Sequence, residues 1–218
     1  MKPNACFWRL FSVLFLLFLA TGCISPQRTQ PPVSFHLSEI RQISDLRSIR
    51  LADDWAGLAD YGPTQAHYML QPKAGGFLGQ ATFSAGGDFS KEQMTDSAEI
   101  TIPIRVVQNF LNTLAEATLE DGPYEPYIEH TDDYPDLSID LVFDGQTVSY
   151  QSQSQGGGHV PWAVSIDTQT YVINSGIPMQ AWALLSPYLK QDKLQQLEDR
   201  VSNSPDLSSG EPLPTTTP

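Results

Sequence analysis

The sequence has few basic residues for its size. Of its 218 residues, 12 are Lys or Arg and 25 are Asp or Glu, which gives a formal net charge of −13 at pH 7. A surface of this charge repels nucleic acid and anionic lipid head groups. We therefore expect no nucleic-acid partner, and attachment to a membrane would need something other than basic side chains.

The sequence also lacks an apolar run long enough to cross a bilayer. Leu10 to Ala20 is apolar apart from Ser12, whereas a membrane-spanning helix needs roughly 20 such residues. Lys2 and Arg9 supply positive charge at the start of this segment, and small residues follow it. A short apolar run between these flanks is typical of a signal peptide, which we assign to residues 1–22.

Cysteine is almost absent, and one of the two stands directly behind that run, in LATGCIS (residues 19–25). The residues before it are Leu19, Ala20, Thr21 and Gly22. This pattern resembles the lipobox of bacterial lipoproteins, although Ala20 stands where leucine is commonest. The resemblance covers these few residues and implies diacylglycerol transfer to the Cys23 thiol, cleavage before it, and acylation of the new amino group, for example with palmitate.

The scarcity of cysteine supports this interpretation. Cys6 lies in the segment that would be discarded, so the mature chain would keep Cys23 alone and could form no internal disulfide. Ile24, rather than Asp, follows the lipid site, which favours the outer membrane in a cell with two membranes and otherwise the outer face of the plasma membrane. The alternative is an ordinary secretory signal cleaved near a cysteine.

The mature sequence divides by composition into a tether, one domain and a tail. Residues 23–34 are polar and contain prolines, which predicts a lipidated tether. Residues 202–218 are rich in Ser, Thr and Pro without aromatic residues, which predicts a disordered tail. Residues 35–201 have the length of one ordinary globular domain.

Within this domain the apolar pattern predicts an α+β fold. Short alternating segments over 46–52, 66–71 and 77–83 predict strands. Two hairpins are expected further on, one around the Asp144-Gly145 turn and one between Trp162 and Ile173. A stripe of apolar residues over 103–118 predicts a helix.

A second helical pattern begins at Ile177 and continues, after a break at Pro187, to Leu197. We therefore expect a single domain of antiparallel strands, with two C-terminal hairpins and two packing helices. Both helices open on Ile-Pro, at Pro103 and Pro178, which hints at internal duplication, although proline is common at a first helical turn.

The richest cluster of chemical groups is EPYIEHTDDYPD, residues 125–136. Its oxygen ligands and single imidazole come from Glu125, Glu129, His130, Asp132, Asp133 and Asp136. Asp132, Asp133 and Asp136 are candidate calcium ligands, because calcium accepts irregular loops of oxygens. The segment lacks the glycine and distal glutamate of an EF-hand, and in so acidic a chain we favour a solvated loop without metal or cofactor.

The segment SQGGGHVPW, residues 154–162, combines three glycines with Ser154 and His159. A serine-hydrolase elbow needs the serine between glycines, on a turn from strand to helix, and this segment has neither feature. We therefore interpret it as a loop that joins the two hairpins, with His159 and Trp162 at its far end.

Aromatic residues are the third group of interest: Trp55, Tyr61, Tyr68, Tyr124, Tyr127, Tyr134, Trp162 and Trp182. Rings in loops can stack on a sugar or a protein partner, or fold back onto the core. Because no catalytic constellation is complete, the sequence favours a non-catalytic envelope lipoprotein that binds a protein or a glycan. The alternative is a metal-assisted hydrolase that uses the 125–136 segment with His130 or His159.

Overall fold

The computed structural model describes residues 45–56, 62–87, 91–121, 135–152 and 161–207. They form an α+β structure, which confirms the predicted class. Its strands are β1 (Leu46–Trp55), β2 (Thr64–Lys73), β3 (Gly76–Ala85), β4 (Met94–Pro103), β5 (Glu120–Asp121), β6 (Asp136–Phe143), β7 (Gln146–Ser152), β8 (Trp162–Ile166) and β9 (Gln169–Ile173). The β6–β7 and β8–β9 pairs are the two expected hairpins, but β4 and β5 have no counterpart among the predicted strands.

All nine strands belong to one antiparallel sheet in the order β4-β3-β2-β1-β6-β7-β8-β9-β5. Strands β1 to β4 form one meander and strands β6 to β9 another, and the two meet where β1 pairs with β6. The tight β6–β7 turn depends on Gly145, whose φ of 74° is a conformation that glycine adopts without the steric cost of a Cβ atom.

Three α-helices accompany the sheet in the described ranges: α1 (Ile104–Ala115), α2 (Ile177–Leu185) and α3 (Gln191–Ser202). The two-helix prediction is therefore only partly confirmed. Its second segment divides into α2, a 3₁₀ turn at Ser186–Tyr188 and α3. Pro187 lies in that turn, and Lys190 has a φ of 56° immediately before α3, so the chain changes direction there instead of continuing as one helix.

The core lies between the helices and one face of the sheet. Alternate strand residues are buried, as in β2, where Ala66, Tyr68 and Leu70 are buried and the residues between them are exposed. Helix α1 buries Val107, Phe110 and Leu114, and it packs on β3, β4 and α2. Helix α3 covers β2, β3 and β4.

The two meanders repeat one topology, because each consists of four strands followed by a helix. Four, seven and eleven residues after its opening proline, the first half buries Val107, Phe110 and Leu114, and the second half buries Trp182, Leu185 and Leu189. Each Ile-Pro sequence thus stands at the start of a helix that buries the residues four and seven positions after the proline. The patterns are not identical, because α2 also buries Ala181 and Leu189 lies beyond its end. The halves differ in strand length, since β1 to β4 have ten residues each while β8 and β9 have five.

A buried lysine fastens α3 to the first half. The side chain of Lys91 is 9% exposed, and its Nζ lies 2.9 Å from the Asp206 carboxylate and donates to the Ser204 carbonyl at 2.6 Å. At the other end of α3, Lys193 pairs with Asp96 of β4 at 2.9 Å. Among the described helices, none combines the length and the hydrophobicity needed to cross a bilayer.

Candidate binding face of the sheet

The helices bury one face of the sheet, and the opposite face is exposed over β1 to β4 and the neighbouring β6. We call this the open face. Its central side chains are Arg50, Ala52, His67, Met69, Gln80, Thr82, Ser97, Glu99, Ser138 and Asp140. They occupy the strand positions between the buried core residues, because successive side chains of a strand point to opposite faces.

The register aligns part of the open face in a row across eight strands. Its successive partners are Glu99, Gln80, Met69, Arg50, Asp140, Ser149, Ser165 and Thr170. Arg50 and Asp140 face each other at the junction of the two meanders. Met69, which is 46% exposed, is the one apolar member of the row. The row therefore presents hydroxyl, amide and charged groups from directly neighbouring strands.

His67 and Asp54 form a hydrogen-bonded pair at the edge of the open face. The Nε2 of His67 lies 2.8 Å from the Asp54 Oδ1, and both side chains are well exposed. A carboxylate in this position orients an imidazole, as in hydrolytic triads. The nearby Thr82 hydroxyl donates to the main-chain carbonyl of His67 at 3.4 Å rather than to its ring. The pair is thus an exposed polar group, and among the described residues no nucleophile is hydrogen-bonded to its imidazole.

A groove of about 930 Å³ runs over this face. Strands β1 to β4 supply most of its lining, and β6 adds Ser138 and Asp140. A second, smaller concavity of about 680 Å³ adjoins it and shares His67, Gln80, Thr82 and Ser97. The first meander thus supplies most of the concave surface.

An acidic pair lies on the opposite, helix-covered side. Asp53 occupies a core-side position near the end of β1, where burial, followed by repulsion from Asp54, raises its pKa to about 6. Burial, together with repulsion from Asp199 and Asp53, raises the pKa of Glu198 on α3. The buried Tyr68 hydroxyl has no hydrogen-bond partner in the described part of the chain, and burial raises its pKa. The end of β1 therefore brings the Asp53 carboxylate within electrostatic range of Glu198 on α3.

Most sequence-predicted site residues lie outside the described residues: Cys23, Glu125, Glu129, His130, Asp132, Asp133, Ser154 and His159. Asp136 is described, and it is the first residue of β6. Within the described ranges, no three His, Cys, Asp or Glu side chains are grouped so that they could hold a metal ion.

The structure does bring the ends of the acidic and glycine-rich segments together. The 125–136 segment leads into β6, and the 154–162 segment leaves β7 and enters β8. Those three strands are adjacent, and the main-chain N–H of Leu137 donates to Ser152 Oγ at 3.2 Å. Both segments therefore connect to the same end of the sheet.

The described aromatic residues belong mainly to the core. Tyr68, Trp162 and Trp182 are buried, and Trp55 is half-buried at the end of β1. Tyr68 packs its ring edge-on against Phe83 with centroids 6.0 Å apart. Tyr61, Tyr124, Tyr127 and Tyr134 lie outside the described residues. The side chains exposed on the open face are therefore aliphatic, polar or charged rather than aromatic.

No protein-family model, curated protein or solved structure matches this chain. The geometry of the sheet is thus the basis for inference about function. The sequence interpretation missed Arg50, His67 and Asp140 as candidate site residues. The signal that could have identified them is the alternation itself, because the polar positions between the apolar ones define the second face of each strand.

Proposed function

We propose that this protein is a membrane-anchored lipoprotein of the bacterial envelope, at the cell surface or in the periplasm, and that it is a non-catalytic module that binds another protein. Lipid on Cys23 provides the anchor, since the acidic chain offers little attraction for anionic head groups. The open face of the sheet provides the binding surface.

The observation that carries this proposal is the unequal covering of the sheet. Helices bury one face, whereas the other face has a groove of about 930 Å³ lined by polar and charged side chains. Antiparallel sheets can expose one face to water without function. Here, however, the exposed face carries a groove, and that groove lies over the longest strands, which favours a partner of extended shape.

Its chemistry favours a protein over a glycan. Sugar-binding platforms commonly stack rings against the sugar, but the described aromatic side chains of the first half point into the core or lie at its margin. The open face instead offers amides, hydroxyls and both signs of charge, which match the polar rim of a protein interface.

The anchor can be tested with Cys23→Ser. We expect the wild-type protein to partition into the detergent phase and the variant to remain an uncleaved precursor or to be released. Recovery of correctly processed wild-type protein in the aqueous phase would contradict lipid attachment. Mass spectrometry of the mature N-terminus identifies the acyl groups directly.

The binding surface can be tested by site-specific photocrosslinking in cells. A photoreactive phenylalanine analogue at Gln80 or Thr82 samples the open face, and the same analogue at Gln108 or Gln196 samples exposed positions on α1 and α3. We expect a discrete crosslinked protein from the open-face positions alone. Equal crosslinking from the helices, or none from the open face, would contradict this role.

A further inference from the structure

The outermost strand on the first-half side, β4, is a long and regular edge. It pairs with β3 over ten successive residues, from Gly76↔Pro103 to Ala85↔Met94, without a register shift. The opposite side of the sheet ends in the two-residue strand β5, paired with the short β9. Proteins commonly shorten, cover or interrupt sheet edges to prevent strand addition. One edge of this sheet is short, whereas the other has its full length.

The outward direction of the β4 backbone can be read from one hydrogen bond. The main-chain N–H of Ser97 does not donate to a carbonyl of β3, because it donates to Oδ1 of Asp96 at 2.7 Å. In an antiparallel ladder, residues alternate between pointing their N–H and C=O toward the partner strand and away from it. The outward residues of β4 are therefore Thr95, Ser97, Glu99 and Thr101.

Pro103 fits the same alternation. It occupies the next outward position, where its missing N–H removes no hydrogen bond to β3. The other main-chain groups at the outward positions have no backbone partner among the described residues. The edge thus offers a series of donors and acceptors spaced for an additional strand.

The charge of β4 determines which kind of additional strand can pair with its edge. β4 contains Asp96 and Glu99 and no Lys or Arg. Addition of a second copy of β4 would place acidic strand against acidic strand, which is unfavourable. The two terminal segments of this chain are poor ladder partners as well, since residues 24–34 and 208–218 contain three prolines each.

We propose that β4 accepts an extended, lysine- or arginine-bearing segment of a second envelope protein as an additional strand. The inference rests on the proposed binding function and specifies its partner. Main-chain hydrogen bonds at the outward positions hold the segment, and its basic side chains lie beside Glu99 on the open face. Asp96 is already paired with Lys193, so Glu99 is the charge on β4 that disfavours a second copy of the strand and selects a basic partner.

A single backbone substitution provides the test. Thr101→Pro removes an outward N–H and leaves the hydrogen bonds to β3 in place, whereas Thr101→Ala removes the same side chain and keeps the N–H. The probe is a fluorescent peptide of alternating lysine and threonine, with alternating glutamate and threonine as its control, titrated into full-length protein in detergent.

We expect Thr101→Pro to weaken binding of the lysine peptide by about fivefold or more, as loss of a main-chain hydrogen bond predicts, and Thr101→Ala to leave it unchanged. Glu99→Lys provides a second, charge-based variant that should also weaken binding. Equal binding by the proline and alanine variants, each with wild-type circular dichroism, would show non-specific attraction to an acidic protein and overturn the proposal.

The same variants separate this inference from the proposed function. If the crosslink between Gln80 and a partner persists in Thr101→Pro, the open face remains a binding surface and the proposal for the β4 edge is rejected. The photoreactive analogue can also be placed at Thr95 of β4, which is exposed. A crosslink from this position only to the protein's own chain or to a second copy would also reject the proposal. Loss of the partner crosslink in Thr101→Pro but not in Thr101→Ala is the expected result.

Discussion

The two halves of the sheet share a topology but present different surfaces. The first half has four strands of ten residues, is covered by α3 in addition to α1, and supplies most of the groove and the long edge. The second half shortens from eight residues in β6 to five in β9. The candidate binding surface therefore lies on the half with the longer strands. The shorter strands of the second half show that the shared topology does not require this extra length.

The largest expected effect tests whether the halves form one folding unit. Phe110 and Leu185 occupy equivalent positions in α1 and α2, and both are fully buried. We expect Phe110→Ala to cost about 3 to 5 kcal/mol and Leu185→Ala about 2 to 5 kcal/mol, because each leaves a cavity. Denaturant unfolding should stay a single transition in both variants. Two separate transitions would mean that the halves unfold independently.

A second prediction concerns the helix that covers only the first half. Lys91→Ala should destabilise the protein by about 1.5 to 3 kcal/mol, since it removes charged hydrogen bonds that hold the end of α3. Lys193→Ala breaks a more exposed pair on the same helix, and should cost about 0 to 1 kcal/mol. Hydrogen exchange should show faster exchange in α3 for the first variant. Equal costs for the two lysines would contradict the importance of burial at Lys91.

A smaller effect comes from a position at which the halves differ. Asp53 follows Leu51 by two residues in β1, and the equivalent position after Leu141 in β6 is Phe143. Because the pKa of Asp53 is raised to about 6, the native state holds this proton more tightly than the unfolded state. Its ionisation therefore lowers stability as pH rises between about 4 and 6.

Asp53→Asn should accordingly stabilise the protein by about 1 to 2 kcal/mol at pH 7 and reduce the loss of stability between pH 4 and 6. Denaturant midpoints measured across that range provide the test. Glu92→Gln, at an exposed carboxylate, serves as the control. A wild-type slope that persists in Asp53→Asn would place the responsible group elsewhere.

The smallest expected effect concerns the acidic segment that leads into the second half. We predict that millimolar calcium leaves the melting temperature nearly unchanged relative to sodium of equal ionic strength and to magnesium. The reason is the sequence-based interpretation of this segment as a solvated loop, which would gain little from one cation. The double variant Asp132→Asn with Asp133→Asn is the control. A calcium-specific rise of several degrees that the double variant abolishes would identify a site.

The sequence predicted those elements whose two faces differ strongly in hydrophobicity. Alternation identified the centres of β1, β2 and β3, and the Asp144-Gly145 turn identified the β6–β7 hairpin. β4 was missed because only Ile100 and Ile102 at its end are buried, while the rest of this edge strand contacts less of the core. Edge strands bury fewer residues, so the alternation of apolar and polar residues in their sequence is weak.

The candidate site could not be predicted in the same way. Arg50 and Asp140 are far apart in sequence and become neighbours only through the β1–β6 register. Ser, Thr and Gln side chains carry no distinctive spacing, since any solvent-facing strand accepts them. The break between α2 and α3 likewise depends on Pro187 and on the left-handed backbone conformation of Lys190. The proline is visible in the sequence, but the conformation of Lys190 is not.

The β1–β6 seam is symmetric in backbone register but not in charge. Ile49 faces Leu141 and Leu51 faces Ile139, so between Ser48 and Ala52 exchanging the two strands maps the pairing onto itself, with Arg50 and Asp140 on the axis. A register shift ends this symmetry before Leu46. In an assembly of two identical subunits, a residue on such an axis meets its own copy, and a charged one would meet its own charge. Because both halves belong to one polypeptide, the two positions on the axis can carry different residues. The opposite charges at this seam are thus an asymmetry that a symmetric pair of separate chains could not encode.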